Sequence, residues 1–379
     1  MPLEIDVEKD SIAKIKVIGV GGAGGNAVNR MIEHGLTGAE FFAVNTDKQA
    51  LLLSRAKNKV QIGEKLTGGL GVGGDPAIGR RAAEESIEEL TEMVEGSNLI
   101  YIAAGLGGGT GTGSAPVIAE LARQKHILTV AVVTMPFLFE GAQRITRAKD
   151  GYECLKEAVD TIVTIPNDKL LQVIGKGTSM LEAFRVADDV LRQGIQGITE
   201  LIVKPALVNL DFADVRTVMS ERGIAHMGIG VGYGDNKTMD AAKQAIQSPL
   251  LETSIEGARG ILYNVTGDPT MSLLEIEEAA NLIRQAADPE ANIFFGADTD
   301  DTLEDEVRIT VIATGFNGVK KPKIAVKEEI DVPDNSMDDD DFVPIKPEKQ
   351  GPILGSFADT SNDLDIPPFL RRKRTKRDF

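Results

Sequence analysis

Two glycine-rich stretches contain the residues of this chain best suited to chemistry. The first runs from Gly19 to Asn26, reads G-V-G-G-A-G-G-N and directly follows an apolar, β-branched run. Glycine lets backbone N–H groups approach an anion closely because no Cβ blocks them, and a helix that begins there adds unpaired N–H groups. The stretch satisfies G-x-G-x-x-G, and Asp47 lies where a dinucleotide-binding fold places its ribose carboxylate. A Rossmann-type NAD-dependent oxidoreductase is therefore one open interpretation.

The second stretch separates the alternatives. Residues Leu106–Ser114 read L-G-G-G-T-G-T-G-S after another apolar run, so consecutive amides and the hydroxyls of Thr110 and Thr112 can meet an anion. A dehydrogenase needs one such loop for its pyrophosphate, whereas two loops at neighbouring strand ends suit a triphosphate held from both sides. No G-x-x-x-x-G-K-[ST] motif occurs, which excludes a P-loop NTPase. Phosphate charge is left to backbone amides, a helix dipole and a metal ion.

The elements that position these stretches alternate along the first half of the chain. Apolar strands separated by helices indicate a parallel sheet with right-handed crossovers. Ligands of such sheets bind beyond the carboxyl ends of the strands, which is where both glycine stretches and Met135–Glu140 lie. The pattern predicts strands at Ile15–Val20, Phe41–Val44, Leu99–Ala104, Leu128–Thr134 and Thr161–Pro166, and helices at Ala23–His34, Pro76–Glu95, Gly113–Lys125 and Glu140–Val159.

A long helix and a smaller α+β domain follow. Apolar residues recur at three- and four-residue steps over Ser179–Lys204, which predicts a helix with one apolar face that Pro205 ends. The second half predicts strands at His226–Tyr233, Gly260–Thr266, Ala291–Phe295 and Val307–Thr314, and helices at Lys237–Gln247 and Ser272–Ala286.

Composition characterises the remaining segments. Residues 319–361 are rich in Pro, Asp, Glu and Lys without periodicity, which predicts a disordered acidic linker. Residues 362–379 regain apolar side chains and end in a basic run, Arg371–Arg377, which suggests a tethered binding peptide; an inert tail is the alternative. The net charge of −17 argues against a nucleic-acid-binding surface.

The cysteine content and the N-terminus indicate the compartment. The single cysteine, Cys154, allows no intramolecular disulfide, and we expect it to be a buried or half-buried apolar residue in a reducing compartment. The short acidic N-terminus has no signal-peptide pattern, and no apolar run approaches the ~20 residues that span a bilayer. We expect a soluble, cytoplasmic protein.

The second glycine stretch resembles the signature loop of tubulins and FtsZ proteins. With Val17–Asn29, Asn45–Asp47, Thr134–Glu140 and Asn209–Asp214, it makes the chain similar to the FtsZ family over about residues 12–318. The resemblance implies an α/β fold in which a tubulin-like GTPase domain, with a Rossmann-like parallel sheet, is joined by a long central helix to a smaller α+β domain with a disordered C-terminal tail. The implied boundaries are an extension at 1–11, a GTP-binding domain at 12–178, the central helix at 179–204, an α+β domain with the catalytic acidic loop at 205–318, the linker at 319–361 and a partner-binding peptide at 362–379.

The resemblance also implies which residues contact GTP. Glu140 and Arg144 match positions that meet the sugar and phosphates, and their spacing puts both on one side of a helix, although an ordinary surface ion pair is the alternative. Asn26, Asn45 and Asn167 also match nucleotide-contacting positions, and for them an ordinary role in a turn at a strand end is the alternative. The implied set is Gly22, Ala23, Gly24, Gly25, Asn26, Asn45, Gly107, Gly108, Gly109, Thr110, Gly111, Thr112, Gly113, Thr134, Pro136, Glu140, Arg144, Asn167, Phe184 and Asp188.

Two members of that set belong to the long helix and concern the base. Phe184 lies on the apolar stripe and is ordinarily a core residue, but the resemblance places it against the face of guanine. Asp188, one turn later, can accept hydrogen bonds from guanine N1–H and its amino group together. Adenine presents an acceptor at N1, so this carboxylate favours GTP over ATP.

Two acids near the end of that helix concern catalysis. Asp211 and Asp214 lie three apart at a helix start, where capping is the ordinary role of aspartate. A 25-residue helix is roughly 37 Å long, so these acids do not reach the nucleotide of their own subunit. The resemblance implies that they reach the nucleotide of the next subunit, where Asp211 and Asp214 orient the attacking water and Asn209 assists.

The function implied is that of a GTPase, forming GDP and phosphate, whose site is completed by the adjacent subunit. Mg2+ is held by nucleotide phosphates and water, with no direct protein ligand. Head-to-tail filaments form the cytokinetic ring at mid-cell beneath the inner membrane. A tubulin relative without hydrolysis is a further alternative that the paired acids disfavour. The resemblance also implies that membrane-anchoring and regulatory division proteins bind the C-terminal peptide, so that contact with the membrane is only indirect. The residues implied for this binding are Asp365, Ile366, Pro367, Phe369, Leu370, Arg371 and Arg372.

Overall fold

The computed structural model describes residues 13–173, 177–203, 208, 210–248, 255–268, 271–300 and 303–316. Within them, a single ten-stranded sheet has the order β3-β2-β1-β4-β5-β6-β7-β10-β8-β9. Its strands are β1 Ile15–Val20, β2 Ala39–Asn45, β3 Asn58–Gln61, β4 Leu99–Gly105, β5 Leu128–Met135, β6 Thr161–Pro166, β7 Gly223–Tyr233, β8 Gly260–Gly267, β9 Asn292–Thr299 and β10 Glu306–Thr314.

Helices connect these strands and cover the sheet. The α-helices are α1 Gly21–Glu33, α2 Lys48–Leu53, α3 Glu64–Thr67, α4 Pro76–Glu85, α5 Ile87–Val94, α6 Thr110–Gln124, α7 Ala142–Ala158, α8 Asn167–Val173, α9 Met180–Val203, α10 Phe212–Met219, α11 Lys237–Ile246 and α12 Leu273–Ala286. Short 3-10 helices occupy Leu138–Glu140 and Gly234–Asn236. No helix in the described part of the chain is both long and apolar enough to cross a membrane.

The predicted parallel sheet is confirmed. Strands β1 to β6 pair only in parallel, and the apolar residues of β4 are buried along its whole length. Burial of both faces explains the continuous apolar runs, because helices pack on each side of a parallel sheet. All the carboxyl ends of these strands therefore lie at one edge, which we call the carboxyl edge; the opposite edge is the amino edge.

The second half of the chain continues the same sheet. Strand β7 pairs in parallel with β6 through three residue pairs, from Thr161↔Gly223 to Val163↔Ala225. Strand β10 runs antiparallel to both β7 and β8, and β9 adds in parallel to β8. The smaller α+β region predicted from sequence is thus present, and its strands extend the parallel sheet.

The long central helix crosses the molecule from one edge to the other. Helix α9 has 24 residues and is about 36 Å long. Ala187, Leu191, Ile195 and Ile198 of the predicted apolar face are all buried. The helix begins at the carboxyl edge, where Phe184 contacts Phe137. It ends at the amino edge, where a Cβ on Gly38 would lie 2.2 Å from Val203 Cγ1.

Two sequence-based predictions of local structure were wrong, and one strand was missed. The helix predicted at Pro76–Glu95 is two helices that meet at Ser86, whose hydroxyl accepts a hydrogen bond from the Gly63 amide at 3.2 Å. Cys154 is exposed because it lies on the solvent-facing side of α7. Strand β3 was not predicted, because its sequence, Asn-Lys-Val-Gln, contains one apolar residue. A polar sequence is typical of the outermost strand of a sheet, which is the position of β3.

A buried ion pair joins the start of α11 to the end of β8. Lys237 and Asp268 are 8% and 6% exposed, and the Lys237 ammonium donates a hydrogen bond to Asp268 Oδ2. Lys237 also lies 3.2 Å from Asp305 Oδ1, ahead of β10. Through both acids, Lys237 connects three segments that converge at one end of strands β7, β10 and β8.

We predict that Lys237→Met lowers the free energy of unfolding by about 3 kcal/mol, because it leaves the Asp268 carboxylate buried and without this cation. Urea denaturation measures the change. The matched control is Lys125→Met, which removes an exposed ion pair with Glu95 and should leave stability nearly unchanged. Equal effects of the two substitutions would contradict the prediction.

Candidate functional site

The two glycine stretches meet at the carboxyl edge of the sheet. Strands β1 and β4 are neighbours, and each runs directly into one of them. Gly21 begins α1 with a φ of 73°, and a Cβ there would lie 2.8 Å from the amide nitrogen of Gly111. Only glycine satisfies both the backbone conformation and this approach. The two loops are thus in backbone contact.

Both loops present helix N-termini that no side chain caps. The residues before α1 and α6 are Val20 and Gly109, and neither provides a side-chain hydrogen bond to its helix. The first-turn N–H groups are therefore available to an anion. A Cβ on Gly22 or Gly25 would meet no protein atom within 4 Å, and one on Gly108 only Gly105 O at 3.9 Å. This side of the loops has room for a ligand against the backbone.

The threonine hydroxyls of the second loop stabilise the loop itself. Thr110 Oγ1 lies 2.8 Å from Thr46 Oγ1, and the Gly107 amide donates to Thr112 Oγ1 at 2.9 Å. Both threonines are buried. Each hydroxyl therefore has a partner within the protein, and the Thr112 hydroxyl, which accepts from the Gly107 amide, still has its own hydrogen to donate.

A third glycine-rich stretch, not identified from the sequence, borders the same site. Residues 68–74 contain five glycines with positive φ. The stretch pairs with Asp47 through a backbone bridge at Leu70, and a Cβ on Gly109 would lie 2.2 Å from Val72 Cγ2. The density of glycine was the available signal. The stretch comes after β3 and the short helix α3 in the chain, and β3 is the strand that sequence analysis did not identify.

Asp47 has a local role as a helix cap. Its Oδ1 accepts hydrogen bonds from the amides of Gln49 at 2.8 Å and Ala50 at 3.3 Å, which caps α2. This local role removes the main observation that favoured a Rossmann-type oxidoreductase.

Glu140 and Arg144 form a pair beside the second glycine loop. Glu140 Oε2 lies 3.1 Å from an Arg144 guanidinium nitrogen, and Oε1 accepts from the Phe137 amide at 2.9 Å. The Glu140 side chain is 9% exposed, whereas that of Arg144 is 50% exposed. A Cβ on Gly107 would lie 2.7 Å from Arg144 Cγ, so α7 packs directly on the loop. The Glu140–Arg144 pair is therefore packed against the loop, unlike an ion pair between two solvent-exposed side chains.

The end of β5 connects this pair to the second loop. The Leu106 amide donates to the carbonyl oxygen of Thr134 at 2.9 Å, and both Thr134 and Pro136 are buried. Phe137 follows and is fully buried. These residues position the loop and the start of the next helix rather than projecting into solvent.

Three phenylalanine rings cluster where α9 begins. Phe137 stacks on Phe139 at 5.0 Å between centroids, and Phe184 meets Phe137 edge-to-face at 5.4 Å. Phe184 is half-buried, and Phe139 is 58% exposed. The cluster offers an aromatic surface at the carboxyl edge, beside the glycine loops.

Asn167 carries an acceptor without a partner. It begins α8 directly after β6 and is 5% exposed, and its buried Oδ1 has no hydrogen-bond partner within the described residues. A buried acceptor of this kind costs about 1–3 kcal/mol, which a ligand N–H can recover. Asn45, at the end of β2, accepts instead from the Asp47 amide at 3.3 Å, and Asn26 is exposed.

Asp188 is a half-buried carboxylate whose pKa lies above its usual range. Burial raises its pKa to about 6, and the Arg30 guanidinium, 3.5 Å away on α1, opposes that rise. Arg30 was not identified from the sequence, because nothing in its local pattern links it to the long helix. Together they form a charged pair between α1 and α9.

The acidic segment lies away from the glycine loops. Asp211 caps α10 by accepting from the Ala213 amide at 3.4 Å, and Asp214 lies in the first turn. The segment is held at the amino edge at both ends. Before it, Val203 packs at Gly38, and after it, the Thr161 hydroxyl donates to the carbonyl oxygen of Met219. Asn209 lies outside the described residues, as does the predicted C-terminal peptide from Asp365 to Arg372.

One chain therefore brings together the two glycine stretches, Glu140, Arg144, Asn167, Phe184 and Asp188 at the carboxyl edge, and it does not bring Asp211 and Asp214 to them.

Comparison with known proteins agrees with this arrangement. Residues 14–175 match the Tubulin/FtsZ family GTPase domain, and residues 223–317 match the C-terminal domain of the FtsZ family. An FtsZ dimer from M. jannaschii is 45% identical, with a TM-score of 0.78 over 80% of this chain and 89% of that chain.

More distant structures share the fold. CetZ2 from Haloferax volcanii, in a GTPγS-bound protofilament, is 23% identical with a TM-score of 0.68 over 79% of this chain and 92% of that one. CetZ1 from the same organism, a GDP-bound monomer, is 23% identical with a TM-score of 0.67 over 81% and 95%. Two matched domains in order and the identity to FtsZ establish the assignment. The chain belongs to the Tubulin/FtsZ family of guanine-nucleotide-binding GTPases.

Proposed function

We propose that this GTPase hydrolyses GTP only between stacked subunits. The observation that carries the proposal is the separation of the glycine loops at the carboxyl edge from Asp211 and Asp214 at the amino edge. A head-to-tail stack brings the acids of one subunit to the loops of the next. Such a heterologous contact repeats without closing and makes a filament.

The nucleotide phosphates bind the amides of the glycine loops. The uncapped starts of α1 and α6 converge there, and Gly22, Gly25 and Gly108 leave their backbone open. Bound Mg2+ supplies neutralisation of phosphate charge. We propose that Mg2+ is held by the nucleotide phosphates and water. Glu140 and Arg144 contact the sugar and phosphates.

Guanine lies between the aromatic cluster and two polar groups. Phe184 contacts the flat face of the base. The unpartnered Oδ1 of Asn167 accepts from a base N–H, and the Asp188 carboxylate accepts from guanine N1–H and the amino group. Adenine presents an acceptor at N1 and cannot donate to that carboxylate, so the site loses these hydrogen bonds with ATP and favours GTP.

The acids act on the attacking water. Asp211 and Asp214 face the γ-phosphate of the neighbouring subunit and orient or polarise the water, with Asn209 assisting. The capping bond from the Ala213 amide fixes the Asp211 carboxylate, which fits a positioning role. Loop amides stabilise the developing charge. Hydrolysis then weakens the contact and drives filament turnover.

Two further observations support stacking. The M. jannaschii relative is described as a dimer and the CetZ2 relative as a protofilament. Large apolar side chains surround the carboxyl edge, where Leu138, Phe139, Met180 and Leu181 are 58–69% exposed. An exposed apolar patch beside a binding site is typical of an interaction surface.

At the cellular level, we propose that the filaments form the cytokinetic ring in the cytoplasm at the division site. Membrane-anchoring and regulatory division proteins bind the C-terminal peptide around Phe369 and Leu370. Support for these steps comes from family membership and from the sequence of the peptide.

The central test is GTP turnover per subunit as a function of protein concentration. We expect little turnover at low concentration, a steep rise above a threshold, and no activity with ATP. Turnover per subunit that is constant across concentrations would mean that each chain hydrolyses alone, and would refute the shared site.

A mixing experiment tests the direction of the contact. Asp211→Ala should bind GTP and assemble but lose nearly all turnover, and Asp188→Ala should lose nucleotide affinity while keeping its acids. An equal mixture should recover activity, because roughly one contact in four joins intact loops to intact acids. Asp235→Ala, an exposed acid elsewhere, serves as the control and should behave like the wild type. Absence of recovery, with assembly intact, contradicts the proposal.

We predict that GDP affinity falls as the pH falls through the pKa of Asp188. The ionised carboxylate accepts the guanine donors, and with a pKa of about 6 it is about nine-tenths protonated at pH 5, so affinity drops about tenfold from its plateau above pH 7. Calorimetric titration at several pH values measures this. Asp188→Asn should bind weakly at every pH and show only the change that arises from phosphate protonation. The neighbouring Asp189→Asn should keep the pH dependence with its midpoint moved to lower pH, because the Asp189 charge contributes to the raised pKa of Asp188.

We predict that Asn167→Leu weakens GDP binding about tenfold, or about 1.4 kcal/mol, without lowering the stability of the nucleotide-free protein. Its Oδ1 has no protein partner to lose. Asn264→Leu is the control, since that side chain donates to Thr266 at 3.1 Å; it should lower stability and leave GDP binding unchanged. Fluorescence titration and thermal denaturation measure the two effects.

A further inference from the structure

A groove at the amino edge of the sheet lies far from the nucleotide loops. Its volume is about 320 Å³, and it is bounded by the end of α1, the connection to β2, the first residues of β2 and the start of β3. Ile32, Ala39 and Phe41 line it, and all three are half-buried and packed against the main hydrophobic core. A ligand in this groove therefore extends the core.

We propose that the groove is the docking site of the chain's own N-terminal segment, Leu3–Glu8. These residues lie outside those that the structure describes. Their sequence, L-E-I-D-V-E, alternates apolar and acidic side chains. In an extended chain, alternate side chains point to opposite sides, so Leu3, Ile5 and Val7 present one apolar surface and the acids present the other.

The position of the chain start brings the segment to the groove. Strand β1 begins at Ile15, which is paired in register with Ala39 on the groove wall. The far wall, on β3, is two strands from β1, or about 10 Å. Residues 9–14 span up to about 20 Å when extended, so Leu3–Glu8 reaches the groove within its own chain.

The charge of the groove suits an acidic segment. Arg55 and Lys57 line it together with one acid, Glu40. Arg55 forms an exposed ion pair with Glu33 at 3.1 Å, whereas Lys57 has no ion-pair partner within the described residues. With Glu33 included, the charges around the groove balance, which contrasts with a chain of net charge −17. Apolar contact provides the affinity, and the acids of the segment point away from the groove floor, where Lys57 at the rim attracts them at longer range.

This inference is independent of nucleotide chemistry, so its test is separate from that of the GTPase site. In full-length Cys154→Ser protein, Ile32→Cys is combined in turn with a cysteine at each of positions 3 to 7. A disulfide needs Cβ atoms about 4 Å apart. We expect intramolecular cross-links to be several-fold more abundant from Leu3→Cys, Ile5→Cys and Val7→Cys than from the matched controls Glu4→Cys and Asp6→Cys.

Three results would overturn the proposal. Equal yields from all five positions would mean that the segment does not present one side to the groove. Cross-links only between chains would make a second copy the occupant. Absence of cross-links, with the protein folded, would leave the groove to some other ligand.

Hydrogen exchange gives a second measurement without altering the groove. In the full-length protein, Ile5→Asp should speed amide exchange about tenfold in peptides that cover residues 32–41 and 55–61, because the docked segment no longer protects them. The same substitution at Ile353, in the acidic linker, is the control and should change nothing there. GTP turnover should be unaffected in both. Unchanged exchange in Ile5→Asp would reject the docking.

Discussion

The backbone contact between Gly21 and Gly111 is the constraint on which the nucleotide site depends. Two helices start from neighbouring strands, and their first turns converge only if no side chain separates them. A methyl group on Gly21 would press on the Gly111 amide and also force a strained backbone. The convergence concentrates unpaired amides at one place, in a protein whose overall charge repels anions. A locally positive surface thus arises from backbone geometry rather than from basic side chains.

The central helix determines what this surface can do alone. Its length carries the chain from the carboxyl edge to the amino edge, and the acidic segment begins only after that crossing. Pairing of β6 with β7 then fixes the second half of the chain to the same sheet. One continuous sheet therefore links the loops at one edge to the acids at the other within a single subunit. The half-buried ion pair of Arg30 and Asp188 joins this helix to α1, which begins at the first glycine loop.

Much of this was predictable from sequence where apolar patterning is strong. Strands β1 and β6 have the bounds that their β-branched runs indicate, and the apolar stripe of α9 is buried as its periodicity predicts. Prediction was wrong where polar side chains act locally. Ser86 interrupts a helical pattern, and its hydroxyl accepts a hydrogen bond from the Gly63 amide. Cys154 is exposed because of its position on the solvent-facing side of α7, although its side chain is apolar.

The site shows the same division. The glycine stretches were recognisable because the chemistry of phosphate binding requires that residue type. The role of Arg30 and the unpartnered acceptor of Asn167 were not, since both depend on long-range packing. The third glycine stretch was overlooked because its preceding strand, β3, is polar and lies at the sheet edge.

The opposite placement of loops and acids gives any stack of these subunits two chemically different ends. On the proposed mechanism, a stack of any length contains one fewer complete site than it has subunits. The subunit at one end keeps an intact nucleotide with no neighbour to hydrolyse it, and the subunit at the other end exposes acids without a substrate. Hydrolysis therefore begins only behind the first end, and short stacks retain proportionately more triphosphate than long ones. The fraction of subunits that still hold triphosphate therefore depends on both the length of the stack and the time since it formed, because only contacts between two subunits can hydrolyse the nucleotide.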